Sequence, residues 1–247
     1  MILTWIWIYI LSTNKLMSIS YDMSKQQIYK TKTIGLRRDY NIHMISVKNV
    51  NKIIDCFPTA LFAEEELLSA DENKIITDKI YKLQETFGAG NTDAWLSGKN
   101  SPDNCFQYGS LLEYLEFRTL VERAQEAVKE FALAYGSEED YYCQDAWYNI
   151  YQSNKYQEFH VHPNVIFSAI YFVKVPDGSQ PVYFKKPDMS HVMLPPKNKK
   201  FDTPYNQEFI MAPPQERTLI IFRSNLQHSV PPATLEDDRI TIALNFA

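Results

Sequence analysis

The sequence predicts a mainly β protein with helical support, an antiparallel double sheet of the jelly-roll, or double-stranded β-helix, kind. Three observations lead there. Two helix-period segments come first; from residue 141 on the chain turns to short β-branched and aromatic runs; and those runs are separated by turn residues, not by further helices. No repeat or linker divides the chain. Residues 44–247 therefore read as one domain, with a helical part over 44–140 and a β core over 141–247.

The elements follow in order. The opening "MILTWIWIYIL" is apolar, but no basic residue precedes it, no small-residue cleavage site follows it cleanly, and it is too short to span a bilayer. With Met17, Met23 and Met44 scattered behind it and no sustained period, residues 1–43 read as a poorly ordered leader and not as a membrane anchor. "DENKIITDKIYKLQETF" (71–87) sets Ile76, Ile80, Leu83 and Phe87 at helical spacing. "GAGNTDAWLSGKN" (88–100) is turn chemistry around Trp95. A second helix opens on Ser110 and Glu113 as a capping box, carries Leu112, Leu115, Val121, Ala124, Val128 and Phe131 on one side, and stops at Gly136. The strand-like runs are 142–152, 165–175, 181–186, 208–212, 218–222 and 239–246. Between two of them, residues 187–207 are Pro-rich and basic at the centre, as expected of a mobile surface loop.

Composition narrows the function. A net charge of −5 and a pI of about 5.6 leave no basic stripe for general nucleic-acid binding. Cys56, Cys105 and Cys143 form an odd set with no C-x-x-C spacing, so neither a disulfide framework nor a zinc knuckle is indicated, and a reducing, cytoplasmic setting is the expectation.

The chemistry lies in "EFHVHPN" (158–164). Alternate side chains of an extended segment leave on one face, so His160 and His162 can close on one metal ion, although such a pair taken alone is more often a surface coincidence or a cross-strand pair than a metal site. A third donor, His228 in "QHSVPP", follows 66 residues after His162. Three ligands on one face of an octahedron leave three positions open, the need of a non-haem iron oxygenase. His43 and His191, in the leader and the loop, read as solvated side chains.

The ordered set "WYNIY", "HVHPN", "FSAIYFV", "QHSVPP" and "RITIALNF", from Asn149 to Asn245, resembles the 2-oxoglutarate and Fe(II)-dependent oxygenase superfamily, and especially a phage and bacterial branch of it. "FPTALF" and "NTDAWLSGK" are similar to that branch's N-terminal elements. The nucleic-acid demethylase relatives carry N-x-Y-x-x-G with the first metal histidine eleven residues after the Asn; Asn149, Tyr151 and His160 keep that spacing, with Asn154 at the glycine position. Asn tolerates the left-handed turn implied there. The resemblance implies Fe(II) held by His160, His162 and His228, with Asn149 and Tyr151 lining the cosubstrate pocket. It also implies that Arg239, eleven residues after His228, clamps the distal carboxylate of 2-oxoglutarate beside Thr241. The residues alone leave Arg239 a second partner, the acidic run Glu236 to Asp238.

Two departures matter. The demethylases have a second arginine where this chain has Asn245, so their chemistry is not implied. Most of the superfamily has a carboxylate at His162; here either His162 is the second ligand or Glu158, two residues before His160, supplies the carboxylate from the same face. The expected function is a 2-oxoglutarate-dependent dioxygenase, a hydroxylase of a peptidyl side chain or small metabolite in preference to a nucleic acid, using O2 and no membrane. The alternatives are a three-histidine cupin-like dioxygenase without 2-oxoglutarate and a non-catalytic, metal-stabilised binding or structural module.

Overall fold

The computed structural model describes residues 58–88, 110–187 and 206–247 in full, together with the backbone of strands at 98–100 and within 5–34. By internal contacts the chain divides into two units, Met1–Cys56 and Phe57–Ala247. In the first, β1 (Trp5–Ser12), β2 (Lys15–Asp22) and β3 (Gln27–Ile34) pair antiparallel in that order. These strands lie inside the stretch read from sequence as a poorly ordered leader, and the dispensability of that stretch is a separate proposal.

The second unit begins with β4 (Leu61–Glu64) and α1 (Ala70–Phe87). α1 starts where Ser69 and Glu72 form a reciprocal capping box, and it buries Ile76, Ile80 and Leu83 as the period requires, while Phe87 stays partly exposed. Asn73 is also buried: its Nδ2 donates to Val173 O at 2.9 Å and its Oδ1 accepts from the Tyr171 hydroxyl at 2.9 Å, which fixes the helix to the sheet behind it. A short strand, β5 (Gly98–Asn100), falls at the end of the stretch expected to be turn, while the rest of that stretch, Trp95 included, lies outside the described residues.

The second helix is shorter than expected. Ser110 caps a single 3-10 turn over Leu111–Glu113, Tyr114 is extended at ψ 129°, another 3-10 turn spans Leu115–Phe117, and only then does α2 (Arg118–Leu133) begin. The capping signal was real but belonged to a different helix type. Leu112 and Leu115 are exposed, off the face of the buried stripe that Leu120, Ala124, Ala127, Val128 and Phe131 form. Gly136 ends the segment at φ 72° with its N–H on Leu133 O.

The β core holds β6 (Cys143–Tyr151), β7 (Gln157–His160), β8 (Phe167–Lys174), β9 (Val182–Lys185), β10 (Phe209–Ala212), β11 (Leu219–Arg223), β12 (His228–Val230) and β13 (Arg239–Phe246). All six sequence-derived runs are strands within a residue or two; β4, β5, β7 and β12, at three or four residues, are too short to show a period. A six-stranded sheet, β4-β11-β8-β13-β6-β5, faces a four-stranded one, β10-β9-β12-β7, and every pairing is antiparallel. This is the expected double sheet. The segment 188–205, most of the expected mobile loop and including His191, lies outside the described residues, as does His43.

Alternation sorts the large sheet's side chains between two cores. Ile240, Ile242, Leu244 and Phe246 of β13 join Ala146, Tyr148 and Ile150 of β6 and Phe167, Ala169, Tyr171 and Val173 of β8 against the helices. Ile170, Phe172, Ile220, Phe222 and Tyr151 point the other way, between the sheets, with Val182, Phe184 and Val230. Each side chain so enclosed stabilises the fold by about 1.5–3 kcal/mol. The helix layer thus braces the large sheet from behind, and the space between the sheets is left for chemistry.

Candidate active site

The same alternation builds the site. Arg239, Thr241, Ala243 and Asn245 occupy the inward face of β13, and Trp147, Asn149 and Tyr151 that of β6, its direct partner, with Arg239 opposite Tyr151 and Thr241 opposite Asn149. From the small sheet come His160 on β7 and His228 on β12, which face each other across the ladder. His162 follows β7, its N–H donating to Ser224 O at 2.9 Å. The histidines, Arg239, Thr241, Tyr151 and Asn149 line one pocket that opens to solvent.

His160, His162 and His228 converge. Their ring centroids stand 4.2 Å (160 to 228), 5.1 Å (162 to 228) and 5.2 Å (160 to 162) apart, and one ring nitrogen of each lies within 4.8 Å of the others. Each Nδ1 meets an oxygen that can only accept: Glu158 O at 2.8 Å for His160, Asn245 Oδ1 at 2.6 Å for His162 and Leu226 O at 3.0 Å for His228. Each ring must therefore carry its proton on Nδ1, which leaves the Nε2 lone pair free. Burial holds all three below the ordinary histidine pKa, His162 down to about 4, so the rings are neutral at physiological pH. Three neutral, oriented imidazoles are a donor set that fits a divalent transition metal.

Glu158 does not share their face. Val230 pairs with Gln157 and His228 with His160, so three steps on β7 oppose two on β12. This bulge reverses the parity of the strand. Gln157, not Glu158, lines the pocket beside His160, while the exposed Glu158 carboxylate accepts from Gln157 Nε2 at 3.0 Å.

Arg239 is 1% exposed, and its Nη1 donates to Gln180 O at 2.6 Å. Its Nε and Nη2 are buried without a partner among the described residues. The guanidinium lies 5.5 Å from the Tyr151 ring and 5.7 Å from that of Phe172. Its other possible partners are turned away: Asp237 pairs with Lys174 at 2.7 Å and Asp238 accepts from the Tyr81 hydroxyl. A buried cation with two idle donors is costly unless an anion completes it. Tyr151 and Thr241 are hydrogen-bonded to each other beside it, and burial pushes the Tyr151 hydroxyl up to about 12, so it remains a neutral donor. The pocket therefore joins a metal-type donor set to a carboxylate-type clamp, the fit expected for Fe(II) with a keto diacid. Asn154, at φ 64°, adopts the left-handed turn expected of it.

Three contributors were missed. Trp147 lies 5.5 Å from the His162 ring, Gln157 reaches the pocket through the bulge, and Asn245 holds His162. Asn245 was within reach, since the alternation that selects Arg239 and Thr241 continues to it. The bulge had no sequence signal.

Residues 145–245 match the family model described as "Putative 2OG-Fe(II) oxygenase". No curated protein matches the chain. In fold it is similar to a Pseudomonas putida prolyl-4-hydroxylase (TM-score 0.54, 11% identity, 76% of this chain and 92% of that one). It is also similar to the non-heme alpha ketoglutarate dependent epimerase SnoN from nogalamycin biosynthesis (0.54, 13%, 76% and 76%). A third is HygX from Streptomyces hygroscopicus, whose structure holds nickel, 2-oxoglutarate and hygromycin B (0.53, 9%, 76% and 83%). These likenesses extend the double-stranded β-helix reading beyond the matched tract into the helical support. The β core of this chain, residues 145–245, is thus similar in sequence to the 2-oxoglutarate- and Fe(II)-dependent oxygenases, and residues beyond it share the fold.

Proposed function

We propose that this dioxygenase is a hydroxylase in which His160, His162 and His228 hold the iron and Arg239 anchors 2-oxoglutarate. The observation that carries the reading is the buried Arg239 with two unused donors in the pocket that the three histidines line. Iron supplies the redox chemistry that couples O2 reduction and decarboxylation of the keto acid to oxidation of a C–H bond. The chain's own work is binding, orientation and exclusion of water. The three Nε2 atoms fix the ion. The Arg239 fork takes the distal carboxylate in two parallel hydrogen bonds, and the Tyr151 and Thr241 hydroxyls complete its shell. Asn149 lies opposite Thr241 on the same wall. Ile170, Val182 and Val230 keep the lining apolar, which strengthens each of those interactions.

A peptidyl side chain or small metabolite is the substrate class, because net charge −5 disfavours a polyanion, and the odd cysteine set is consistent with a cytoplasmic setting. Among the described residues no helix is long and apolar enough to cross a membrane. Loss of 2-oxoglutarate with release of succinate, in purified protein given Fe(II) and O2, tests the reading. A three-histidine cupin-like dioxygenase, or a metal-stabilised module without turnover, leaves the keto acid intact, and that result overturns the proposal.

A further inference from the structure

Asn245 lies directly opposite Asp145 across the β13–β6 ladder and is hydrogen-bonded to its side chain. A carboxylate accepts, so the amide Nδ2 must face Asp145 and the Oδ1 must face the other way. On that side Oδ1 takes two donors, His162 Nδ1–H at 2.6 Å and the Ser168 hydroxyl at 2.8 Å. Ser168 Oγ also stands 2.9 Å from Ser224 Oγ, and with one proton to give it can donate to Ser224 or to Asn245 Oδ1 but not to both at once. Ser224 also holds the His162 main chain through its carbonyl. Ser168, Ser224 and Asn245 are each more than nine-tenths buried, so water cannot readily substitute for a lost partner.

An asparagine amide is a two-way device. Turned by 180° it would present Nδ2 to His162 Nδ1, and the ring would then have to place its proton on Nε2, the atom that must be bare to bind a metal. The Ser168 hydroxyl cannot prevent this, because it can rotate to accept from the turned amide and donate to Ser224. Among the described partners only the Asp145 carboxylate is unable to serve the turned state. We infer that Asp145 is a positioning residue: by accepting from Asn245 Nδ2 it locks the amide, and through the amide it locks His162 in the tautomer that leaves Nε2 free. The inference rests on the proposed role of His162 as a ligand.

The test reads the tautomer first, in metal-free protein, from the ring-nitrogen NMR signals of 15N-histidine-labelled samples. In the unaltered protein His162 should be Nδ1–H. Asp145→Ala should give a mixture with substantial Nε2–H, and Co(II) affinity should fall by roughly 10–100-fold. Asp145→Asn carries an amide that can turn together with that of Asn245 and donate to the turned oxygen, so although it keeps the shape of the side chain it should also give a tautomer mixture and weakened Co(II) binding. An Asp145→Ala protein that folds with His162 wholly Nδ1–H and Co(II) affinity intact overturns the inference. If that variant does not fold, an Nε2–H His162 in the unaltered protein overturns it and an Nδ1–H ring with its proton bonded to the Asn245 oxygen supports it. Failure of the proposed function looks different: unaltered protein that takes up no Co(II), with the tautomer responses unchanged.

Discussion

Replacing Arg239 by Met keeps a long side chain between Tyr151 and Phe172 while removing the charge and all five N–H groups. Two of the guanidinium nitrogens, Nε and Nη2, have no partner among the described residues and are the ones that an incoming carboxylate would meet in the proposed complex. Two charge-assisted hydrogen bonds at about 1.5–3 kcal/mol each give about 3–6 kcal/mol. Truncating one member of a buried charged pair costs about 2–5 kcal/mol, so the overlap, about 3–5 kcal/mol, is the expected loss. That weakens 2-oxoglutarate binding by roughly two to three and a half orders of magnitude. Fe(II) affinity should hardly change, because no histidine touches Arg239 through a described bond. The metal-free, ligand-free protein should respond in the opposite direction. It gives up one bond, to Gln180 O, but also the burden of a desolvated cation without a counter-ion, so its unfolding midpoint should hold or rise. Anaerobic titration of the Fe(II)–keto acid absorbance band measures the first effect, and thermal unfolding with and without 2-oxoglutarate measures the second. A keto acid at about a hundred times its Kd adds about 2.7 kcal/mol to the unaltered protein, and Arg239→Met should lose nearly all of it. Arg239→Lys should recover only part, since an ammonium cannot reproduce the fork. Equal 2-oxoglutarate affinity in the three proteins, together with a destabilised Met variant, would make Arg239 a prop for the Gln180 segment and refute the reasoning.

Four further outcomes follow from the same geometry. His160→Ala, His162→Ala and His228→Ala should each cost more Fe(II) affinity than the roughly 10–100-fold of an outer-partner loss, whereas Glu158→Ala should leave it unchanged, as read by competition with a metallochromic dye; a deficit in the Glu158 variant would return that carboxylate to the ligand set. Burial lowers the three imidazole pKa values, so between pH 6.5 and about 4 the unfolded chain binds more protons than the folded one. That stability is complete above pH 6.5 and is lost as the pH falls, up to about 3 kcal/mol from His162 alone, measured by urea unfolding of metal-free protein; a flat profile would contradict the neutral rings. A chain beginning at Met44 should stay folded and bind metal, since Met1–Cys56 and Phe57–Ala247 are separate units, and loss of the far-UV β signal on truncation would sink that expectation. Asn154→Gly should be neutral and Asn154→Ala should cost about 1 kcal/mol in unfolding free energy, because φ is 64°; equal stabilities would deny the left-handed strain.

What could be read in the sequence and what could not divide along a physical line. The strands from Cys143 to Phe246 and the stripe of α1 are carried by side-chain periods, and a period is a local property, so six runs and one helix were visible before any partner was known. Arg239 is placed by the same rule, whereas the three histidines of the proposed metal site lie on or beside strands too short to show a period, and their spacing with the family likeness singled them out. The failures all depend on a second segment. Whether Ser110 starts an α-helix or a 3-10 turn is decided beyond its own capping bonds, in the chain that follows: Tyr114 is extended, and Leu111 is buried where an unbroken helix phase would not place it. The face taken by Glu158 is decided by how β12 pairs with β7, since one bulged residue reverses every side chain before it. Asn245 shows the line most plainly. Its inward direction is local and was legible, but its partners are Asp145, a hundred residues earlier in the chain and opposite it in the ladder, and His162, just past the end of β7. A position read in the sequence only as lacking a second arginine is, in the fold, the joint between the histidine cluster and the large sheet. Which side chains of the long strands face inward is therefore written in the periods, whereas how an inward side chain is oriented is written in the pairings.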